Sequence, residues 1–150
     1  MPPDQSEPVI EFCQSIFELR YKLRRMLQIK IREAGINVSF EVLEIMKLLS
    51  YRDRLNQQEL ADLLFKDKSS MTYLIDNMVK AELVTRKEDE TDRRNKLIFL
   101  SDKAHELIKQ LSPIASQCYE ALAEDITDED IKVGIKMLHK MNNSLAGFII

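Results

Sequence analysis

The fold is decided by residues 56–100, NQQELADLLFKDKSSMTYLIDNMVKAELVTRKEDETDRRNKLIFL. The first four residues have the spacing of a capping box, in which Asn56 and Glu59 each accept a hydrogen bond from the other's backbone N–H. The apolar residues after this box predict a short helix that ends near Leu64. Asp67 then predicts the N-cap of a second helix, only a few residues further on.

The second helix is predicted to have two contrasting faces. Its apolar residues recur at intervals of three and four, as expected for one buried face: Met71, Leu74, Ile75, Met78 and Val79. The opposite face carries side chains that can donate hydrogen bonds or positive charge, with Asp76 as its one acid: Lys68, Ser69, Thr72, Tyr73, Asn77 and Lys80. This face is free to contact a partner.

Two β-rich runs follow the helices, at residues 83–87 and 96–100, and predict a pair of strands. Their connection, residues 88–95, is polar and ends in Asp92-Arg93-Arg94-Asn95. Long loops between paired strands are often functional, and these arginines suit phosphate or minor-groove contact. The alternative is a simple solvated hairpin. Two short helices followed directly by such a hairpin have the layout of a winged helix-turn-helix.

These residues resemble the multiple-antibiotic-resistance regulator (MarR) family of bacterial winged-helix transcription factors, and the resemblance covers nearly the whole chain. Residues 69–76, SSMTYLID, resemble the family's recognition helix, residues 83–86, LVTR, its first wing strand, and residues 92–94, DRR, its wing signature. The resemblance implies a dimeric repressor that binds a pseudo-palindromic site in duplex DNA and is released from it by a small-molecule effector.

The resemblance also implies roles for individual residues. Side chains of the recognition helix would meet bases and phosphates in the major groove, with Arg94 in the minor groove, Arg93 beside it and Asp92 orienting Arg94. The DNA-binding set is Lys68, Ser69, Ser70, Thr72, Tyr73, Asn77, Asp92, Arg93 and Arg94.

Four positions depart from the family pattern. Tyr73 and Asn77 stand where many members carry arginine, so the sequence preference of a relative cannot be transferred, because only arginine reads guanine bidentately. Glu82 stands at a usual glycine, where left-handed geometry would cost about 1 kcal/mol. Ala104 also replaces a glycine, and this favours helix.

The flanks predict pairing of two copies. A broad apolar stripe runs through residues 9–31, another helix begins near Ser101 with Pro113 as its expected kink, and Thr127 is expected to cap a last helix. We therefore expect a mainly α fold with a small β-wing, in three parts: an N-terminal dimerisation helix (1–36), a winged helix-turn-helix domain (37–100) and C-terminal dimerisation helices (101–150). Intramolecular packing is the alternative explanation for each stripe.

Charge gives the main objection to a nucleic-acid partner, since the formal net charge is −3. Its distribution weakens the objection. Six acids lie within residues 120–130 without a Lys or Arg, whereas the basic residues cluster around the wing: Arg86, Lys87, Arg93, Arg94 and Lys96. A competing function is a winged-helix protein-interaction module that uses the acidic stretch as its contact surface.

The remaining residues give little sign of chemistry. No catalytic constellation, glycine-rich phosphate loop or metal-ligand spacing is present, so we expect neither an enzyme nor a cofactor. The start of the chain lacks the basic and apolar regions of a signal peptide, and no apolar run reaches the ~20 residues that span a bilayer, so we expect a cytoplasmic protein without membrane contact.

Two further sites follow only from the family resemblance. A phenolic or aromatic effector would bind near Tyr21, Met46 and Tyr51. Cys13 lies where a peroxide-sensing branch of the family keeps its reactive cysteine, although Phe17 and Leu27 replace the tyrosines that assist it there. The alternative for Cys13 is a buried, unreactive thiol.

Overall fold

The computed structural model describes residues 3–52 and 54–149. The helices are α1 (Pro3–Glu33), α2 (Phe40–Tyr51), α3 (Gln57–Leu63), α4 (Lys68–Lys80), α5 (Asp102–Leu122) and α6 (Asp128–Leu145). The strands are β1 (Leu55–Asn56), β2 (Val84–Glu88) and β3 (Lys96–Leu100). The mainly helical fold with a small wing is confirmed, and β1 adds a short strand that the sequence pattern did not indicate.

The helix starts follow local side-chain chemistry. Asn56 and Glu59 form the predicted capping box, with 2.8 Å between Asn56 Oδ1 and the Glu59 nitrogen and 3.2 Å for the reciprocal bond. Asp67 caps α4, and Thr127 caps α6 in a second capping box. Each cap satisfies N–H groups that a helix leaves without a partner, which fixes where the helix begins. Helix α5 runs through Pro113.

The sheet is antiparallel, with the strand order β1-β3-β2. Strand β3 is central: Leu55 of β1 and Arg86 of β2 both lie opposite Ile98. Ile98 is buried beneath the helices. The wing is therefore attached to the core through its central strand, and its tip extends from the ends of β2 and β3.

The core lies between α2, α3, α4 and the sheet. Its largest fully buried side chains are Ile45, Met46, Leu60, Met71, Ile75, Met78, Ile98 and Val84. The predicted inner face of α4 is confirmed at Met71, Ile75 and Met78, while Leu74 is half-buried and Val79 lies at its exposed margin. Because these three residues pack into the core, the opposite face of α4 is turned outward.

The chain divides into two compact units, one ending at Ala115 and one beginning at Ser116. In the first unit, the C-terminal part of α1 buries Leu27 and Ile31, while its N-terminal part exposes Val9, Ile10 and Phe17. In the second unit, α6 has no buried residue, and its exposed apolar side chains include Ile131, Val133, Ile135, Leu138 and Leu145. None of the described helices has the length and apolar character needed to cross a bilayer.

Candidate nucleic-acid interface

Helix α4 presents a polar face to solvent. Lys68, Ser69, Ser70, Tyr73 and Asn77 are exposed, and the Tyr73 side chain projects with 69% of its surface accessible. An exposed tyrosine beside an amide and hydroxyl groups can stack on, or hydrogen-bond to, a base edge in a groove. These predicted DNA-binding residues thus lie together on one surface.

The start of α4 is held by Asp67. Its carboxylate accepts hydrogen bonds from the backbone N–H of Ser70 at 2.7 Å and from the Ser70 hydroxyl at 3.0 Å. These two bonds lower the pKa of Asp67 from its ordinary value, because they favour the charged carboxylate. The proton of the Ser70 hydroxyl is thereby used within the helix cap, whereas Ser69 is exposed at the same helix end.

Thr72 is turned toward the protein rather than fully outward. Its hydroxyl donates to the backbone carbonyl of Lys68 at 2.9 Å and accepts from the side-chain amide of Gln57 at 2.5 Å. The residue is half-buried. The hydroxyl proton is therefore already used in this conformation, which separates Thr72 from its neighbour Tyr73 among the predicted base-contacting residues.

Asp76, the one acid on this face, is paired with Arg86 of β2. The Arg86 guanidinium also approaches the side-chain carbonyl of Gln57, at 3.5 Å. An ion pair at this place neutralises the carboxylate that the exposed face of α4 would otherwise present to a phosphate backbone. It also connects the outer face of α4 with the first strand of the wing.

The tip of the wing is an ordered turn. The Asp89 carboxylate accepts from the backbone N–H of Thr91 at 3.0 Å and from its hydroxyl at 2.9 Å, and these bonds lower the pKa of Asp89. Asp89 also closes the hairpin by donating its backbone N–H to the carbonyl of Asn95, at 2.9 Å. The Asp92 carboxylate accepts from the backbone N–H of Arg94, at 3.1 Å. Asp92 thus acts on the backbone of Arg94.

The wing carries free positive charge. Among the residues that the structure describes, no ion pair includes Arg93, Arg94 or Lys96. Arg93 and Arg94 are both exposed. Unpaired guanidinium groups on an ordered turn are suited to a polyanion, because no internal carboxylate has to be displaced before they bind.

The wing and the helix pair meet in one cleft of about 260 Å³. The residues that line it are all of polar or charged types, and they include three cations, from α4, the wing tip and β3: Lys68, Arg94 and Lys96, with Asn56, Gln57, Gln58 and Asn95. Lys68 and Arg94, which lie 26 positions apart in sequence, are thereby brought to one surface. The predicted DNA-binding set includes Lys68 and Arg94 but not the other five residues of this lining: Asn56, Gln57, Gln58, Asn95 and Lys96.

The end of α4 is also fixed. Glu82 follows the helix with φ +61°, as predicted from its place at a usual glycine. Ser101 donates its hydroxyl to the Glu82 carbonyl at 2.6 Å, and Lys103 donates to the Ala81 carbonyl at 2.8 Å. The beginning of α5 thus satisfies carbonyl groups at the end of α4. Both ends of the predicted recognition helix are anchored.

The residues proposed for an effector lie in different environments. Met46 is fully buried in the core, whereas Tyr21 on α1 and Tyr51 at the end of α2 are largely exposed. A separate cavity of about 610 Å³ lies where α1 joins α2 and is lined by Gln28, Ile31, Arg32, Gly35, Ile36, Asn37, Val38 and Ser39. The three predicted residues are not among its lining.

The α1–α2 junction is held by Arg24, which pairs with Glu41 and lies over the Phe40 ring at 5.2 Å. Burial raises the pKa of Glu41, but its backbone N–H and the Arg24 charge outweigh this and leave the pKa lowered. Cys13 is half-buried on α1. No cluster of three potential metal ligands exists among the described residues.

Comparison with known proteins agrees with this geometry. A sequence model of the MarR family matches residues 41–96. The HTH-type transcriptional repressor YetL of Bacillus subtilis is 26% identical over 141 residues, which cover 93% of this chain and 83% of YetL. A MarR transcriptional regulator from Methanosarcina mazei Go1 is 26% identical, with a TM-score of 0.76 over 89% of this chain and 96% of that one.

A third comparison concerns the fold alone. A variant of MarR from E. coli, crystallised in complex with operator DNA, is 18% identical, with a TM-score of 0.79 over 91% of this chain and 96% of that one.

The family match runs from α2 to the start of β3, so it includes both helices of the pair and the wing tip. The class is that of winged helix-turn-helix transcriptional regulators. Within this class the chain is most similar in these comparisons to the MarR family, whose model matches its helix pair and wing, and the relatives named above are transcriptional regulators rather than enzymes.

Proposed function

We propose that this regulator is a cytoplasmic repressor that binds a pseudo-palindromic site in duplex DNA as a homodimer. One observation carries the proposal: the cleft that joins Lys68 to Arg94 lies beside the exposed face of α4. A helix face for the major groove and a basic wing for the adjacent groove are the two parts that winged-helix readers need. The net charge of −3 does not oppose this, because the acidic stretch begins only at Glu120.

The proposed DNA contacts fall into two groups, those that read base edges and those that hold the DNA backbone. Tyr73, Asn77 and Ser69 contact base edges in the major groove, since they are exposed on α4. Lys68 meets a phosphate, and Arg94 enters the minor groove with Arg93 beside it. Phosphate contacts fix the register of the protein on the duplex, and base contacts select its sequence.

Exposed apolar surface supports pairing of two copies. Phe17 on α1 and Val133 and Ile135 on α6 are each at least half exposed in the single chain. Burying such surface against a second copy is favourable by about 25 cal/mol per Å². A two-fold dimer would place two copies of α4 about one helical turn apart on the duplex, ~34 Å.

Release by a small aromatic or phenolic ligand is part of the proposal. A ligand that binds better to a dimer whose α4 helices are spaced wrongly for successive major grooves lowers DNA affinity by its differential affinity for the two states. The ligand needs no contact with DNA. Titration of aromatic acids and phenols into the DNA complex would test this part separately.

A shift assay tests the central part. Random-sequence duplex is mixed with the protein at about 50 mM and about 200 mM salt, and we expect retention that falls by at least tenfold between them, because bound cations displace counterions from DNA. Light scattering at micromolar concentration should give the mass of two chains. Salt-independent retention, or no retention, would contradict the DNA-binding proposal, and a one-chain mass would contradict the dimer.

A further inference from the structure

One side-chain network joins three elements behind the exposed face of α4. Arg86 on β2 contacts Asp76 on α4 and lies 3.5 Å from the side-chain carbonyl of Gln57, the first residue of α3. The amide of Gln57 donates in turn to Thr72 on α4, at 2.5 Å. The wing strand, the first helix of the pair and the second helix are therefore linked through two side chains, Arg86 and Gln57.

We propose that Arg86 and Gln57 are positioning residues that set the angle between α4 and the wing, and that through this angle they determine which sequence the protein prefers. The inference rests on the proposed DNA binding. It assigns no DNA contact to either residue. Thr72 and Asp76 are the points at which α4 is held, so neither of them reads a base.

The chemistry of the contacts supports this assignment. Both contacts are made by Nη2 of Arg86, whose two N–H bonds lie in the plane of the guanidinium, so the two acceptors are held at a fixed relative position in that plane. The acceptors here are on different helices, Asp76 on α4 and Gln57 on α3. Lysine, with one rotatable ammonium group on a flexible stem, could satisfy the charge of Asp76 without fixing that angle.

Burial separates Arg86 from the cations that face outward. The Arg86 side chain is 26% exposed, whereas Arg93 and Arg94 are exposed to solvent. Arg86 alternates with exposed neighbours, Thr85 and Lys87, as expected for a strand residue that points toward the helices. Its charge is already neutralised by Asp76, so it adds little to the attraction of a phosphate.

Thr72 supplies the second line of evidence. Its hydroxyl donates to Lys68 and accepts from Gln57, so its proton and one lone pair are both used. Breaking either bond to reach a base would leave the Gln57 amide or the Lys68 carbonyl to find another partner. Thr72 therefore transmits the position of α3 to α4, and direct readout is left to the exposed residues.

The test separates an effect on sequence preference from an effect on the ionic attraction between protein and DNA. Four single variants, Arg86→Gln, Arg86→Lys, Gln57→Ala and Asp76→Asn, are compared with the parent, together with the double variant Arg86→Gln, Asp76→Asn. For each, the Kd is measured for a duplex selected by the parent and for a scrambled duplex of equal length, over a range of salt. Lys87→Gln is the matched control, since Lys87 is the exposed neighbour of Arg86 on the same strand.

We expect the ratio of scrambled to selected Kd to fall by about tenfold in Arg86→Gln, Arg86→Lys and Gln57→Ala, with an unchanged slope of log Kd against log salt. Lys87→Gln should keep the ratio. Asp76→Asn should also lower the ratio, and the double variant should lose no more than the larger of its two single changes, because both substitutions break the same Asp76–Arg86 contact. Melting curves identify any variant that fails to fold. If Arg86→Gln does not fold, Gln57→Ala, which removes half-buried side-chain contacts at the start of α3, still tests the proposal.

Two outcomes would overturn the proposal. One is an unchanged Kd ratio in folded Arg86→Gln and Gln57→Ala. The other is a salt slope that becomes shallower by about one in Arg86→Gln, which would make Arg86 a direct phosphate contact. A parent protein that retains no duplex at any salt would instead contradict the DNA-binding function, and this result is distinguishable from both.

Discussion

The Asp92 carboxylate accepts a hydrogen bond from the backbone N–H of Arg94, at 3.1 Å. The bond spans two residues of the wing turn, as short acidic side chains commonly do in loops. It leaves the Arg94 guanidinium free to point outward while fixing the backbone that carries it. Asp92 therefore orders the wing turn without forming an ion pair with the Arg94 guanidinium.

Arg94→Ala should weaken binding to selected and scrambled duplexes by a similar factor. It should also make the slope of log Kd against log salt shallower by about one, because one cation that contacts the DNA backbone is lost. Titrations at several salt concentrations measure both quantities. Lys109→Ala, which removes one exposed cation from α5, is the charge control. Asp92→Asn should bind at least as tightly as the parent, because its amide oxygen can still accept from the backbone N–H of Arg94 and one carboxylate beside the duplex is lost. If Arg94→Ala retained unrelated duplexes as well as the parent does, the assignment of the wing would be wrong.

Tyr73→Ala and Tyr73→Arg should each change the sequence that the protein selects more than they change its affinity for random duplex. Tyr73 is exposed on α4, and an arginine there could contact guanine O6 and N7 together. Selection from a random pool with each variant would show the change, with enrichment of guanine at one half-site position expected for Tyr73→Arg. Identical selected sequences for all three proteins would exclude Tyr73 from readout.

Glu82→Gly should stabilise the protein by about 1 kcal/mol, because glycine removes the cost of a side chain at φ +61°. The hydrogen bond from Ser101 goes to the backbone carbonyl and is retained. Phe65, with φ +55° and 96% of its surface exposed, should respond in the same direction. Lys109→Gly, in the interior of α5, should instead lose about 1 kcal/mol. Urea denaturation gives these differences, and a loss of stability in Glu82→Gly would contradict the strain at this position.

Asp67 makes the stability of α4 dependent on pH. Its pKa is lowered in the folded state by the Ser70 bonds, so its contribution is present above the unfolded value, about 3.9, and is lost as the pH falls through the lower folded value. Asp67→Asn keeps a good N-cap without a titrating group. The free energy of unfolding of the parent should therefore fall relative to that of Asp67→Asn as the pH goes from 6 to 3. Parallel pH profiles would contradict the effect.

Much of the fold could be predicted because local rules determine it. The capping box of Asn56 and Glu59, the cap at Asp67 and the left-handed Glu82 depend on a few neighbouring residues, and the structure confirms all three. The inner face of α4 follows from its helical spacing in the same way. The three-part division at residues 36 and 100 stays a prediction.

Long-range contacts could not be predicted in this way. Strand β1 has only two residues, and its existence depends on pairing with Ile98 and Leu97 of β3. The Asp76–Arg86 pair depends on how a strand packs against a helix. The alternation of side chains along a strand does predict that Arg86 faces inward, as Val84 does. Helical spacing alone predicts Thr72 among the base-contacting residues, because it does not reveal the approach of Gln57 from α3.

Selection of bound duplexes from a random pool tests the central claim most directly, since it examines the α4 face, the wing and the dimer in one measurement. The account predicts enrichment of an inverted repeat whose half-site centres lie about one helical turn, 10–10.5 base pairs, apart. A pool that shows no enrichment after repeated rounds, or a single site without two-fold symmetry, would contradict it.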